Sequence, residues 1–490
     1  MNKVSHKVSI IEKIGYSLGD LAANLVFQTL ITYLAFFYTD IYGLKNNDAS
    51  IIMLVVGLVA AFAFNPLVGA LADRTRSKWG KFRPWILYTS VPLGVMALLA
   101  FSTPHFEYKG KVIYAAVTYT LLLLLYAANN LPYSALSGVI TGDMGERNSI
   151  SSIRFVAVMF AQFFVQVFML PIIEFAGKGD KAAGIETVMT WLAIIGTVML
   201  LITFFTTKER IIPTAEQESS LKQDLADLSK NKPWAIMLTV TVLVFITLAM
   251  KGGAYVYYFN NYVDPVALAN FISPVLDSMS AVGINFFGSD PTSAGFGLFN
   301  AGGIIFMLVG IALSKKLADK YGKRDVFGVA LFIATLFVLA FYLFKPTNVS
   351  LMFGSQILHG FFYGITIPLL WAMIADVADY SEMKNNRRAT AIIFSAMMVG
   401  LKGGLAIGGA LVAWILGLYG YVNKESVEAG IQIIQPESVI TGAKMLVSVY
   451  PSITFFLAAG LLFFYVINKK TEVSLEEELR IRRAQANLKL

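Results

Sequence analysis

The sequence AAFAFNPLVGALADRTRSKWGKFRPW, residues 60–85, decides the fold of this chain. Its first part is apolar as far as Leu71, and a second apolar segment begins at Pro84. The short connection between them contains five basic residues, Arg74, Arg76, Lys78, Lys81 and Arg83. Because positive charge concentrates in the cytoplasmic loops of membrane proteins, this pattern predicts two transmembrane helices joined by a cytoplasmic turn.

The composition of the whole chain agrees with a membrane protein. Of its 490 residues, 57% are hydrophobic and 14% are charged, whereas soluble domains contain about 25% charged residues. The apolar residues come in long runs, such as 112–128 and 194–205, and not in the short alternating segments of a transmembrane β-barrel. We therefore predict an all-α polytopic membrane protein, since helices satisfy their own backbone hydrogen bonds in lipid.

Composition and motifs also exclude several functional classes. The formal charge of +8 is explained by basic loops that face anionic lipid, so we predict no nucleic-acid partner. With no cysteine and only three histidines, the sequence predicts neither disulfides nor a metal site. It has no Walker motif and no glycine-rich phosphate loop, so we expect no cofactor and no ATP hydrolysis.

About twelve segments are long and apolar enough to cross a membrane. Their approximate limits are 15–38, 50–72, 84–102, 112–140, 153–174, 188–207, 234–259, 295–314, 326–344, 350–376, 389–418 and 443–467. An even number puts both termini on one side, and the distribution of Lys and Arg predicts that this side is cytoplasmic. The expected parts are an N-terminal six-helix bundle (1–207), a cytoplasmic linker (208–233), a C-terminal six-helix bundle (234–468) and a charged cytoplasmic tail (469–490). Residues 260–291 are an external connection that is either solvated or contains a short capping helix.

The two halves of the chain repeat each other. Leu-Ala-Asp-Arg at 71–74, followed by Gly-Lys-Phe-Arg at 80–83, returns as Leu-Ala-Asp-Lys at 317–320, followed by Gly-Lys-Arg at 322–324. A second pair of loops repeats in the same order, which is typical of secondary transporters built from two parallel halves. The residues expected to form a cytoplasmic gate at the first pair, by pairing with loop cations and helix ends, are Asp73, Arg74, Asp319 and Lys320.

Ionisable side chains at membrane depth are costly and usually functional. Lys402, in the apolar run MMVGLKGG, lies far from either end of its predicted helix and is the first candidate. Asp20, Arg154 and Asp376 lie nearer to helix ends and are either functional groups or structural caps and gate pairs. Lys251 is either functional or a lysine whose side chain reaches the outer interface.

Amides and aromatic rings occur in the same predicted helices. They are Asn24, Gln28, Tyr126, Asn129, Asn130, Tyr133, Gln162, Gln166, Tyr255, Tyr257, Tyr258, His359, Tyr363 and Trp371. Amides donate and accept hydrogen bonds, as a polyhydroxylated ligand requires. Each residue alone could be a helix-packing contact, but together with Lys402 and Arg154 they predict a polar central cavity.

The run TRSKWGKFRPW at 75–85 resembles the signature of the glycoside–pentoside–hexuronide:cation symporters, a family of the major facilitator superfamily. Matches at 37–40, 374–380 and 402–404 extend the resemblance over essentially the whole chain. It implies two pseudo-symmetric six-helix bundles that surround a central cavity and work by alternating access.

The resemblance also implies site residues. The implied substrate contacts are Asn24, Tyr126, Asn130, Arg154, Trp371 and Lys402. Ala61 and Asn65 stand where a well-known member of the family has two cation-binding aspartates, and Ser134 where it has a sugar-stacking tryptophan. Because Na⁺ prefers ionised oxygen ligands, sodium coupling is disfavoured, and the expected coupling residues are Lys402, which could lose and regain a proton, and Asn65.

We therefore predict a secondary active transporter that imports a sugar, glycoside or oligosaccharide by H⁺ symport. It is expected in the plasma (bacterial inner) membrane, as a lipid-embedded monomer. In one alternative, Lys402 and Arg154 neutralise the carboxylate of a hexuronide or acidic glycoside; in another, the protein is an uncoupled facilitator or a transport-like sensor. An enzyme is disfavoured, since we find no catalytic constellation at a membrane face.

Overall fold

The computed structural model describes residues 7–141, 143–210, 231–281, 283, 287, 290–385, 390–423 and 434–487. Within these residues the regular elements are all helical, and none is a strand. The α-helices of this described part, numbered in chain order, are α1 (Ile10–Phe36), α2 (Asn46–Val59), α3 (Asn65–Arg74), α4 (Arg83–Ala100), α5 (Tyr108–Ile140), α6 (Met144–Gly177), α7 (Lys181–Thr206), α8 (Lys232–Asn261), α9 (Pro265–Ala281), α10 (Pro291–Tyr321), α11 (Lys323–Ala340), α12 (Val349–Asn385), α13 (Thr390–Leu418), α14 (Glu437–Val447), α15 (Val449–Leu461) and α16 (Lys469–Asn487).

Two π-helical turns interrupt this α-helical pattern. Phe37–Ile41 extends α1, and Ala60–Phe64 joins α2 to α3 within one continuous span. In the external connection at 260–291, the structure contains α9, as one of the two alternatives expected.

Twelve segments of the described chain are long and apolar enough to cross a membrane, which confirms the predicted twelve-helix polytopic fold. They are Ile10–Ile41, Asn46–Ala72, Arg83–Ala100, Tyr108–Ile140, Ser149–Gly177, Lys181–Thr206, Lys232–Asn261, Pro291–Tyr321, Lys323–Leu343, Val349–Lys384, Ile393–Leu418 and Glu437–Phe464. Most are longer than the sequence predicted, because the helices continue beyond their apolar runs into polar ends.

Large apolar side chains are exposed along many of these helices. Phe62, Val156 and Phe205 are each more than 60% exposed, on three different spans. Such side chains would form an aggregating surface in water, whereas lipid tails solvate them as well as a protein interior does. The outward faces of the helices are therefore suited to a bilayer.

Helices in the C-terminal half approach each other closely through glycine. A Cβ atom added at Gly310 on α10 would lie 2.0 Å from the carbonyl oxygen of Phe361 on α12. One added at Gly364 on α12 would lie 2.1 Å from the carbonyl oxygen of Met307 on α10. Small residues at such crossings allow the backbone-to-backbone packing that replaces hydrophobic burial between helices in lipid.

The chain divides into two compact units. Unit 1 comprises Met1–Glu216, Leu268–Leu298 and Ala410–Val439, and unit 2 comprises Gln217–Ala267, Phe299–Gly409 and Ile440–Leu490. Within unit 1, α1 packs along α6 and α7, and α4 packs along α5 and α7. Within unit 2, α8 packs along α15, and α11 packs along α12 and α15. The predicted domain limits stay a prediction, and most of the predicted linker, 211–230, lies outside the described residues.

Candidate functional site

A charged pair lies inside unit 1, between α1 and α6. Oδ2 of Asp20 is 3.2 Å from Nε of Arg154, and 13% of the Asp20 side chain is exposed compared with 36% for Arg154. Asn24 donates a hydrogen bond from Nδ2 to Oδ1 of Asp20 at 3.0 Å, since residues four apart share one face of a helix. Sequence alone left Asp20 and Arg154 open between function and structural pairing; in the structure they pair with each other, and Asn24 joins them.

Two stacked tyrosines fasten α1 to α5 one helical turn before Asp20. The rings of Tyr16 and Tyr133 are 4.5 Å apart and inclined by only 10°. The Tyr16 hydroxyl donates to the Tyr133 carbonyl oxygen at 3.1 Å, and the Tyr133 hydroxyl donates to the Tyr16 carbonyl oxygen at 2.7 Å. Both rings are fully buried. Tyr133, a candidate for ligand contact by sequence, is therefore a packing contact here.

The remaining candidates on α5 have different roles. Asn129 is buried and donates to Oγ1 of Thr89 at 2.8 Å, so its amide ties α5 to α4. Tyr126 stacks on Phe27 of α1 at 6.2 Å, which holds its ring in place. Asn130 is only half-buried, and its amide forms no hydrogen bond with any residue that the structure describes. Of the three, Asn130 is the side chain most available to a ligand.

Ala61 and Asn65 lie at the π-helical turn that joins α2 to α3. Asn65 donates from Nδ2 to the carbonyl oxygen of Ala60 at 2.7 Å, and Ala61 is fully buried. Such turns inside α-helices are frequent at functional sites, but these two positions offer one neutral amide oxygen and no carboxylate. Across the described residues, no group of three or more His, Asp or Glu side chains could hold a metal ion.

The candidates in unit 2 are Lys402 on α13 and Trp371 on α12. A Cβ atom at Gly404 would lie 2.7 Å from the carbonyl oxygen of Val242, so this face of α13 packs tightly on α8. Lys402 is two residues away, about 200° around the helix, and therefore lies on the opposite face. A Cβ atom at Gly403 would meet no atom within 4 Å. Lys402, half-buried, thus has open space next to it, and Trp371 is 37% exposed.

The repeated loops share a backbone conformation. Gly80 has φ of +107° and Gly322 has φ of +92°, a region that side-chain-bearing residues rarely adopt. Each glycine precedes the first turn of a helix, α4 or α11. In unit 1, the carboxylate of Glu209 accepts hydrogen bonds from the backbone N–H groups of Lys81, Phe82 and Arg83 at 2.8–2.9 Å. The sequence gave no signal for Glu209, which follows α7.

In unit 2, the residue after the repeated glycine is a hub of charge. Nζ of Lys323 is 2.7 Å from Oδ1 of Asp376 on α12 and 2.7 Å from Oε1 of Glu472 on α16. Asp376, left open by the sequence, is therefore part of an ion pair that also fastens the charged C-terminal helix. Burial, more than the two nearby carboxylates, raises the pKa of the adjacent Tyr465 above its ordinary value.

The four gate residues stay a prediction. The side chain of Asp73 lies outside the described residues, and Arg74 is exposed. Asp319 and Lys320 are exposed as well, and it is their backbone carbonyl oxygens that accept hydrogen bonds from Nζ of Lys469, at 3.1 and 2.7 Å.

Lys251 does not reach an interface. Its side chain is 5% exposed, and its Nζ lies 2.6 Å from Nε2 of His359, which is also 5% exposed. The sequence placed these residues on different predicted helices without any sign that they meet, because helical periodicity reports a face and not a partner.

Comparisons with known proteins agree with this architecture. The chain matches the family described as MFS/sugar transport protein over residues 15–292 and 289–469. It is 35% identical to the inner membrane symporter YicJ of Escherichia coli, over 93% of this chain and 91% of that protein. It is 29% identical to the isoprimeverose transporter of Lactiplantibacillus pentosus, over 97% of this chain and 92% of that protein.

A solved structure supports the fold by itself. A variant of the nucleoside transporter NupG superimposes with a TM-score of 0.61 at 14% identity, covering 93% of this chain and 100% of that chain. These relatives are transporters and not enzymes, as the sequence predicted. The chain is a multi-pass membrane protein and a secondary sugar transporter: it belongs to the MFS/sugar transport protein family, as a symporter similar to the glycoside–pentoside–hexuronide group.

Proposed function

We propose that this transporter moves a neutral sugar or glycoside together with protons. The observation that carries this proposal is the Asp20–Arg154 ion pair with Asn24 attached to it, inside the apolar helices of unit 1. Amide and guanidinium groups at such a place can replace the water that hydroxyl groups lose, and ionisable groups at membrane depth usually serve transport. The proposed substrate contacts are Asn24, Tyr126, Asn130, Arg154, Trp371 and Lys402.

The lack of carboxylates at Ala61 and Asn65 supports H⁺ over Na⁺ as the coupling ion. A sodium ion needs several oxygen ligands to replace its hydration shell, and the Asn65 amide nitrogen is already committed to a backbone carbonyl. A proton needs only one basic group, and Lys402, with Asn65 beside the candidate ion position, is the proposed coupling residue.

The charge balance around Arg154 supports a neutral substrate over an acidic one. Asp20 already pairs with this guanidinium, so a substrate carboxylate would have to displace a covalently tethered competitor. Lys402 has no such competitor among the ion pairs of unit 2 described above, and it is the group through which a hexuronide would be recognised if the substrate is acidic.

Uptake into proteoliposomes tests the proposal directly. With an alkaline interior, the wild-type protein should accumulate neutral glycosides without sodium, and a protonophore should abolish the accumulation. Accumulation that requires Na⁺, or uptake of glucuronides alone, would contradict it. Equilibration without accumulation would identify the uncoupled facilitator instead.

A matched pair of asparagine variants tests the proposed contact. Asn130→Ala removes about one hydrogen bond, worth 0.5–1.5 kcal/mol, and should weaken the apparent affinity by roughly 2- to 10-fold. Asn47→Ala, at an exposed position on α2, should leave the affinity unchanged. Equal affinities for both variants would remove Asn130 from the site.

We also propose a monomer without cofactor in the bacterial inner membrane, with both termini cytoplasmic and lipid as the only surrounding partner. Because the chain has no cysteine, single cysteines report sidedness cleanly. An impermeant maleimide should label Lys345→Cys in intact cells, and Lys78→Cys only after permeabilisation. The reverse pattern would invert the topology.

A further inference from the structure

Two basic side chains meet inside unit 2 without an acid between them. Nζ of Lys251 on α8 lies 2.6 Å from Nε2 of His359 on α12, and both side chains are 5% exposed. A contact this short between two nitrogens is a hydrogen bond only if one of them donates a proton and the other accepts it. The number of protons on the pair is therefore limited by its geometry.

The second ring nitrogen of His359 decides which group donates. Nδ1 lies 3.1 Å from the carbonyl oxygen of Ala334 on α11. A carbonyl oxygen can only accept, so Nδ1 carries the proton, and Nε2 of a neutral ring presents its lone pair to Lys251. The lysine amine then donates to Nε2, whether it is itself charged or neutral.

Only one additional proton fits on this pair. If both groups were protonated, two donors and two positive charges would face each other across 2.6 Å, which is repulsive in a low-dielectric interior. The pair is therefore either neutral or carries a single positive charge.

The surroundings of the pair provide stacking but no counter-charge. The Tyr255 ring lies 5.4 Å from Nζ of Lys251, close enough for a cation–π contact. His359 stacks on Tyr363 at 5.8 Å and on Phe455 of α15 at 6.3 Å.

The other neighbouring helices add no charge either. The titratable groups that face the pair are the two tyrosines, from α8 and α12; α11 contributes the Ala334 carbonyl. α10 and α13 approach α12 and α8 through glycines, such as Gly360 against Gly303 and Gly408 against Ile246. Within the described residues, Lys251 forms no salt bridge, so its charged form is held by one imidazole and one ring face. A buried charge with so few partners is costly, and the proton is easily given up.

We propose that Lys251 and His359 form a binding site for a single proton inside unit 2. On protonation a hydronium ion transfers its proton to the lysine amine, which becomes an ammonium still bonded to Nε2, and water leaves. Because both side chains are closed off from solvent, the proton can enter or leave only when α8 and α12 separate locally. That this exchange accompanies sugar movement rests on the proposed H⁺-coupled function; the proton site itself does not.

Histidine NMR tests the site without any transport assay. The chain has three histidines, so ¹⁵N-histidine-labelled protein in nanodiscs gives few signals, and His359→Gln assigns the one of interest. His359 should show the Nδ1–H tautomer and stay neutral from pH 5 to pH 8, whereas exposed His105 titrates as an internal reference. The lysine ¹³Cε signal lost in Lys251→Met should titrate within this range. An Nε2–H tautomer, or a Lys251 signal that does not move, would overturn the proton site.

The transport consequence is measured as a ratio. Counterflow needs no net proton movement, while accumulation driven by a pH gradient does, so Lys251→Met and His359→Gln should lose accumulation relative to counterflow. Lys345→Met, at an exposed position, should keep the wild-type ratio. An unchanged ratio, or a parallel loss of both activities, would overturn the coupling role. Failure of the wild-type protein to accumulate sugar would instead reject the proposed function and leave the NMR result to decide the proton site.

Discussion

Neutralising Glu209 should loosen the loop that begins α4. In Glu209→Gln, one oxygen remains to accept from Phe82 and Arg83, while an NH₂ group replaces the oxygen that accepts from Lys81 at 2.8 Å. Two donors then face each other at the third position, and the other two hydrogen bonds lose their charge assistance. The favourable interaction of a carboxylate with the N-terminus of a helix is also lost.

The expected cost is about 2 kcal/mol. Hydrogen bonds to charged groups contribute about 1.5–3 kcal/mol each and neutral ones about 1 kcal/mol, and water can solvate the freed N–H groups of this half-buried loop, so the lower ends of these ranges apply. With each kcal/mol worth a few degrees, Glu209→Gln should lower the melting temperature by several degrees. Trypsin cleavage within the loop should accelerate at the same time.

Thermal unfolding in detergent, with limited proteolysis in parallel, measures both effects. Glu186→Gln makes the same substitution at an exposed position on α7 and should change neither. A Cβ atom at Gly80 would lie 2.4 Å from Cδ of Glu209, so Gly80→Ala should destabilise the same contact. The double variant should therefore lose less than the sum of the two. Full additivity, or wild-type behaviour of Glu209→Gln, would refute this account of the loop.

Two further predictions concern packing and pH. Gly310→Ala should destabilise the protein by about 1–3 kcal/mol through overpacking, because its Cβ atom would collide with the Phe361 carbonyl, whereas Gly354→Ala has no atom within 4 Å to meet; equal melting temperatures would contradict this. The hydrogen bond from Lys13 lowers the pKa of the Glu146 carboxylate, so this contact stabilises the protein above the ordinary glutamate pKa, about 4.3, and the stabilisation is lost as the pH falls below it. The melting temperatures of wild type and Glu146→Gln should thus differ at pH 7 and converge in acid; a gap that widens in acid would reverse the sign.

Much of the fold was predictable because its cause is local in the sequence. Each span must be apolar over about 20 residues, so the twelve helices are legible one at a time. The repeated Gly80 and Gly322 were visible as letters, and their shared positive φ explains why glycine occurs at both positions. The exact spans were less legible, since helices run on past the apolar segment.

The candidate site was predictable only in part. The sequence identified Asp20, Arg154 and Lys402 as unusual at membrane depth, because the cost of charge in lipid depends on residue type alone. It could not separate Asn129, which ties two helices together, from Asn130 one position later, which is left without a hydrogen bond to the described residues. That distinction depends on which neighbour each amide faces.

The sequence by itself determined the membrane class, the twelve helices, the internal repeat and the family, because hydrophobicity and motif spacing are properties of the chain alone. Tertiary structure decided the partners: Arg154 with Asp20, Asp376 with Lys323, and Lys251 with His359. Each of these pairs joins residues on different helices. A hydrogen bond or ion pair acts over about 3 Å, so which side chains meet is settled only when the helices pack.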